Sequence, residues 1–560
     1  MDINLEELAR QVRSRYTAAD GSISDLAALR GEVARYLGMA GPQGSLEDIA
    51  RQMVDLAGVD RLLPPCYARF QPLVTESMAF LLSRLPTERL ADKIVDQLQL
   101  DPEVSPGRRV CVLIEDMPSL QKLGQIVCRS PGLTPEFKQA MVDLEDNLHT
   151  VSREELLPLI DEALAPVRES LTVTLEGGIL AEASVCAVMA ATVRPKGSKH
   201  AESAVLKILK PNVSRHLAHE LKMLNQLATF LDQNQARWGL GDFKFKDTLQ
   251  QVQWLLENEV DLTREQGNLE AVGRYYRHHP ELIVPRRLPG SSPAMTVMSR
   301  VEGRKITDGN DLDPQSKRLL ADALTEICIL RPIKDLGERT LFHGDPHAGN
   351  IAYVFEKGKP RIILYDWGML GRLSRLERLA LALMGLGVVT ESVSMVLFAA
   401  DIVTAGKIFK TELWQPDLRD TVARVLDRRQ AIFGDVLADI GTLFAELAYQ
   451  GVVFPADLLV FQKSLVTLKG VIADVDPTFD TDEQWMRIIV GSYLGDFCRP
   501  SYYFKLYKEI WVLRRYSFVR LLQMHRLIIQ LLDKSRQIAG NAAMASAGPT
   551  GLRDQETSRC

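Results

Sequence analysis

His343-Gly344-Asp345-Pro346-His347-Ala348-Gly349-Asn350, followed sixteen residues later by Asp366-Trp367-Gly368, is the most informative stretch of this 560-residue chain. In kinase-like phosphoryl transfer a loop Asp orients or deprotonates the nucleophile and an Asn five residues on helps hold a metal. The Asp of a second motif ligates the Mg²⁺ that bridges the phosphates. Asp345, Asn350 and Asp366 match those roles in order and spacing. The competing reading is an Asx-turn loop that merely caps helices; against it, a His-x-Asp-x4-Asn followed at this distance by Asp-x-Gly arises by chance in roughly one chain in a thousand. Between the motifs, Ile351 to Phe355 and Arg361 to Tyr365 read as strands joined by Glu356-Lys357-Gly358-Lys359-Pro360. Such a hairpin returns both carboxyl-bearing turns to one end of a sheet.

Working upstream, a site of this kind also needs a phosphate-binding lysine on the third strand of a small lobe, ion-paired to a helical glutamate. Ala204-Val205-Leu206-Lys207-Ile208-Leu209 alternates like a strand and carries Lys207. A strand lysine alone is more often a solvated edge residue, but ahead of the loop and metal motifs Lys207 reads as part of a site. For the glutamate, Glu259 to Asn268 offers three acids on one predicted helix, Glu259, Asp261 and Glu265, the last two sharing a face. The bland reading of that run is a solvated acidic face. The expectation is that Lys207, Asn350 and Asp366 converge around one divalent ion and a triphosphate.

The remaining pattern sorts the chain into regions. From Met1 to about Gln99 apolar residues recur at helical spacing, and Asp101 to Gly107 reads as a linker. A helix is predicted over Ser119 to Val127 and another is opened by Thr134-Pro135. Strands are expected at Leu171 to Leu175, Ser184 to Val193 and Ala204 to Leu209, forming a small antiparallel sheet. Then follow a helix at Val213 to Asp232, an acidic helix at Glu259 to Tyr276, a strand at Met295 to Ser299 and a long helix from Pro314 to Ile329. Everything beyond Arg372 reads helical, and Asn541 to Cys560 reads as disordered. The expected divisions are 1–105, 106–170, 171–300, 301–540 and 541–560.

Bulk properties exclude several classes. With 46% apolar and 25% charged residues the chain is an ordinary globular one. Its 67 basic and 72 acidic residues leave a net charge of −5, which argues against nucleic acid as a partner. The seven cysteines are scattered without zinc or disulfide spacing, and the acidic, amphipathic start lacks the features of a secretory signal. A cytoplasmic, reducing location is expected, with no transmembrane helix.

Five blocks in order resemble the UbiB/AarF/ADCK family of atypical kinases. Lys122-Leu123-Gly124-Gln125 resembles the family's KxGQ motif, Ala181-Glu182-Ala183-Ser184 its alanine-rich loop, and Ala204 to Lys207 its strand lysine. Glu259-Val260-Asp261 with Glu265-x-x-Asn268 resembles its ExD and EAxN segments, and the two motifs quoted at the outset resemble its catalytic and metal loops. Leu468-Lys469-Gly470-Val471 with Asp476-Pro477 looks like its C-lobe block, so the resemblance spans roughly Val110 to Asp480. It implies an α+β, bilobal protein-kinase-like fold with a small β-rich N-lobe, a helical C-lobe and an N-terminal helical extension. It also implies ATP and Mg²⁺ as cofactors. Asp345, Lys207 and Glu265 are then catalytic, Asn350 and Asp366 hold the metal, and Ala181, Ala183, Ser184, Lys207, Met298 and Val301 contact nucleotide. Lys122, Gln125, Glu259 and Asp261 are regulatory, Lys122 pairing with Glu259 or Asp261 and Lys207 with Glu265. The sequence departs from the family at Glu182, whose carboxylate is expected to repel phosphates by about 1 kcal/mol.

The reading that follows is an ATPase or a small-molecule or lipid-linked kinase supporting quinone or isoprenoid-lipid metabolism. Its alternative is a pseudokinase scaffold that binds nucleotide without turnover. An antibiotic or choline-type phosphotransferase shares the His-Gly-Asp loop, but the Lys122 block and the acidic run argue against it. Aromatic and basic residues alternate through Tyr502 to Arg526. That pattern suits peripheral contact with anionic lipid as well as a packed C-lobe helix.

Overall fold

The computed structural model describes residues 15–16, 25–39, 43–63, 65–101, 103–128, 139, 151–183, 185–239, 245–335, 337–404, 416–428 and 436–479. Thr134-Pro135, Ser184, the segment from Tyr502 to Arg526 and the tail from Asn541 lie outside them. The chain forms two compact units, one of residues 1–267 and 286–300, the other of 268–285 and 301–560.

The first unit contains a four-stranded antiparallel sheet of β1 (Leu171–Glu182), β2 (Cys186–Pro195), β3 (Glu202–Leu209) and β5 (Met295–Ser299), in that spatial order. Strand alternation decides what each face does. Ala204, Leu206 and Ile208 of β3 are buried with Met189, Ala191, Met295 and Val297, which leaves Lys207 on the opposite face. The helix Arg153–Leu164 covers the buried face. A capping box of Ser152 and Glu155 starts it, and Leu156, Ile160 and Leu164 at four-residue spacing form its apolar stripe.

Strand β1 is longer than its expected five residues. It runs on through Glu182 because its register shifts between Glu176 and Ile179, where Gly177 takes a φ of 68° that a side chain would resist. Ala181 and Glu182 therefore end a strand, paired with Val188 and Ala187, instead of opening a loop.

The N-terminal helices Leu26–Met39, Gln43–Ala57, Gln71–Leu82 and Thr87–Gln99 match the helical expectation. Leu29, Met53, Leu82 and Ile94 share one core with Leu113 and Leu120, and with Leu224 and Leu256 of the helices Pro211–Asn234 and Phe245–Val260. The predicted acidic helix is in fact split. Glu259 ends Phe245–Val260, and Asp261 stands outside it with its carboxylate accepting from the Arg264 N–H at 2.9 Å. This N-cap contact starts a separate helix, Leu262–Tyr275, which carries Glu265.

In the second unit, β4 (Leu282–Ile283), β6 (Arg304–Lys305), β8 (Ile351–Glu356) and β9 (Lys359–Leu364) form a sheet in the order β4-β9-β8-β6. β8 and β9 are the expected hairpin, turning at Lys357 and Gly358, both at positive φ. β7 (Arg339–His343) and β10 (Leu370–Ser374) form a separate antiparallel pair that the sequence reading did not foresee. Gly371 is obligatory in that pair, since a Cβ there would lie 2.0 Å from the Phe342 ring. The predicted long helix is α-helical over Pro314–Leu324, π-helical over Thr325–Leu330, and α-helical again over Arg331–Lys334. Helices Arg375–Val389, Val393–Val403, Pro416–Asp427, Val436–Tyr449 and Ala456–Val475 follow. Among the described residues no helix is long and apolar enough to cross a membrane.

Candidate active site

The signature loop leaves β7 at His343 and enters β8 at Ile351. His343 is buried and bonded at both ring nitrogens. Nδ1 accepts from the Asp345 N–H at 3.2 Å, so Nε2 carries the proton and donates to the Tyr365 carbonyl at 2.8 Å. The neutral form is favoured because burial pushes its pKa below the ordinary 6.5; the Tyr365 carbonyl, Asp366 and Asp345 act in the opposite sense. One imidazole thus ties the loop to the strand end that precedes Asp366. Gly344 lies so close to Met369 that a Cβ would meet its carbonyl oxygen at 2.9 Å. His347 is a support: its Nδ1 accepts from the Gly349 N–H at 3.2 Å.

Asn350 donates from Nδ2 to the Asp345 carbonyl at 3.2 Å, and its own carbonyl accepts from the Tyr365 N–H at 2.9 Å. The hairpin therefore brings Asn350 and Asp366 to one sheet end. Asp366 has a φ of 46°, a left-handed conformation that Asp tolerates better than most residues, and it accepts the Gly368 N–H at 3.1 Å. Trp367, fully buried, lies with its ring 4.7 Å from that of His343. Asn268, which the sequence reading quoted but gave no role, donates to the Trp367 carbonyl at 2.9 Å and fixes the second motif.

Lys463 is a further residue the sequence reading missed. On the helix Ala456–Val475, its Nζ lies 2.9 Å from Asp345 Oδ1, while the adjacent Ser464 hydroxyl donates to the His343 carbonyl at 3.0 Å. Nothing in spacing could reveal a partner 118 residues away.

In the first unit, Lys207 Nζ lies 2.8 Å from Glu265 Oε1, both side chains nearly removed from water. Lys122, on the helix Pro118–Cys128, is ion-paired to Glu259, while Asp261 caps the next helix. Gln125 lies on the same helix as Lys122. Ala181 and Ala183 are exposed at the end of the β1–β2 hairpin, and the Ala183 N–H donates to the Cys186 carbonyl at 2.8 Å. Met298 is buried in β5 opposite Val205, and the Val301 carbonyl accepts from the Tyr365 hydroxyl at 3.0 Å within the second unit.

The expectation for Glu182 is corrected. Its side chain is 2% exposed and lies 2.7 Å from Lys210 Nζ, so its charge is neutralised within the fold. The predicted repulsion of phosphates loses its basis.

As a metal site the second unit offers hard oxygen donors, Asp366 and the Asn350 side chain. Among the described residues there is no cluster of three or more His, Cys, Asp or Glu. A carboxylate and an amide fit Mg²⁺, which keeps water and phosphate oxygens as its other ligands, and do not fit a metal needing a full protein cage.

The model of the ABC1 atypical kinase-like domain matches residues 143–399. Probable protein kinase UbiB of Xanthomonas campestris pv. campestris (strain B100) is 24% identical over 421 residues, covering 71% of this chain and 73% of that protein. Probable protein kinase UbiB of Xylella fastidiosa (strain M23) is 23% identical over 410 residues, covering 70% and 71%. Among solved structures, the complex of Rv3197 with erythromycin from Mycobacterium tuberculosis is similar at 17% identity and a TM-score of 0.41, over 60% of this chain and 88% of that one. In the order of its motifs, in the domain match and in the two UbiB relatives, the chain is similar to the UbiB/AarF/ADCK family of kinase-like proteins.

Proposed function

We propose that this protein binds ATP with Mg²⁺ and catalyses phosphoryl transfer, as an ATPase or a small-molecule kinase supporting quinone or isoprenoid-lipid metabolism. The observation that carries the reading is the β8–β9 hairpin, which holds Asn350 and Asp366 at one sheet end while His343 fixes the loop bearing Asp345. The relatives' description as probable protein kinases supports the reaction class, and the quinone connection rests on their name alone.

In this reading Asp366 and Asn350 hold Mg²⁺, which neutralises charge on the phosphates when bound. Asp345 orients the attacking group and takes its proton. Lys207, held by Glu265, contacts a phosphate, and Ala181, Ala183, Ser184, Met298 and Val301 line the nucleotide. Lys122 and Gln125, with Glu259 and Asp261, restrain activity. The alternative of a scaffold without turnover loses one support, since Glu182 is neutralised by Lys210.

The test is nucleotide binding and hydrolysis by the full chain, with and without Mg²⁺. Wild type is expected to hydrolyse ATP only with Mg²⁺, and Asp366→Asn to lose at least a hundredfold in rate. Equal activity of Asp366→Asn and wild type would remove the proposal, and Mg-nucleotide binding without turnover would select the scaffold.

A further inference from the structure

A concavity lies wholly within the first unit. The helices Gln71–Leu82 and Pro211–Asn234 border a cavity of about 830 Å³. That is the size of a small-molecule site. Its apolar surface is made by Leu46, Met223 and an aromatic pair, Phe80 and Phe230, stacked with ring centroids 4.6 Å apart and 27° between planes. The Arg84 guanidinium lies 3.3 Å from the Phe80 centroid, so both a cation and a second ring lie against that ring.

The polar lining is one-sided. Arg84 and Lys222 face the cavity with His219 and the neutral Gln226, Thr229 and Gln233, and among the described residues no carboxylate does. Glu47 approaches Arg84 at 3.7 Å and is 41% exposed, too distant for a hydrogen bond. Arg84 Nη1 donates instead to the Phe80 carbonyl at 3.1 Å and the Ser83 hydroxyl at 3.2 Å. Burial depresses the Arg84 pKa, and Glu47 opposes that effect only in part, so the guanidinium is a cation short of compensation. His219 Nδ1 is a buried ring nitrogen without a hydrogen-bond partner among the described residues. A buried polar atom left unmatched costs free energy that a ligand can return.

We propose that this cavity binds a small organic anion with a flat apolar body, its charged head on Arg84 and Lys222 and its body against the Phe80–Phe230 pair. A free metal ion is disfavoured by the cationic lining, and a neutral apolar molecule leaves Arg84 and His219 unmatched. This site is independent of the phosphoryl-transfer reading, and its test uses no nucleotide.

The probe is 1-naphthoate, titrated calorimetrically into the full chain beside the neutral naphthalene-1-methanol. One-to-one saturable binding of the carboxylate is expected, with the alcohol at least tenfold weaker. Lys222→Glu, at an exposed position where folding is not at stake, is expected to weaken naphthoate at least tenfold. Arg84→Met should do the same, its fold checked by its thermal unfolding midpoint. Absence of saturable naphthoate binding, indifference to Lys222→Glu, or equal affinity for the alcohol would each overturn the site.

Discussion

Lys463 and Asp345 are joined by a 2.9 Å ion pair, both side chains partly open to water. If Asp345 takes the proton as proposed, its carboxylate must be held in one orientation, and a lysine on a rigid helix does that more firmly than the loop alone. Lys463→Met is therefore expected to lower kcat for ATP turnover about tenfold or more with little change in KM, and Lys463→Arg to recover part of it. A KM effect without a kcat effect would assign the lysine to substrate binding. His343 supplies the second prediction at this scale. Its imidazole is neutral in the fold and has an ordinary value of 6.5 when unfolded, so below that pH the unfolded chain gains a proton that the folded one resists. Stability is expected to fall as pH drops through about 6.5 toward the depressed folded value and to flatten below it. Unfolding midpoints between pH 7.5 and 5 should fall less for His343→Asn than for wild type, and parallel curves would contradict the neutral assignment. Asp345, Asn350 and Asp366 were legible in the sequence because their spacing is itself the signal. Lys463, Lys210 and the role of Asn268 were not, because each acts on a partner distant in sequence and helical periodicity says nothing of partners.

Elements show the same division. The β8–β9 hairpin and the Lys207 strand were readable from alternation, whereas β7 and β10 are five residues each and acquire meaning only by pairing across the motifs. The supposed acidic helix failed because capping by Asp261 is stronger locally than helical continuity. Three helices also meet at a point no pattern announced. Glu220 of Pro211–Asn234 has a side chain fully removed from water. It accepts from Arg89 at 2.9 Å, from the Ser119 hydroxyl at 2.7 Å and from the Ser119 N–H at 3.0 Å. Arg89 lies on Thr87–Gln99, and Ser119 is in the first turn of the helix bearing Lys122. Removing the guanidinium leaves a buried carboxylate with neutral donors only, which costs about 3 kcal/mol. Arg89→Met is expected to lose that much in denaturant unfolding, and adding Glu220→Gln should restore a large part by removing the stranded charge. A double variant no better than the single would show that the arginine contributes packing instead.

At the scale of the whole molecule, the residues assigned to one reaction are divided between the two units. Lys207 and Glu265 belong to the first; Asp345, Asn350, Asp366 and Lys463 belong to the second. The order of these elements was readable because the motifs fall in a fixed order along the chain. The cavity of the first unit was not, since Arg84 and Lys222 come from segments far apart and neither is remarkable alone. Whether one nucleotide depends on residues of both units is a question of coupling, and a double-mutant cycle measures coupling directly. A ligand present at 100 times its Kd raises stability by about 2.7 kcal/mol. Mg-ATP is expected to give wild type that gain, and Lys207→Met and Asp366→Asn are each expected to abolish most of it. If both residues act on the same ligand, the double variant loses little beyond either single one, because the interaction lost is already gone. Losses that add in full, or a Lys207→Met chain whose gain with Mg-ATP is intact, would mean that the strand lysine takes no part in holding the nucleotide and that the kinase-like roles end with the second unit.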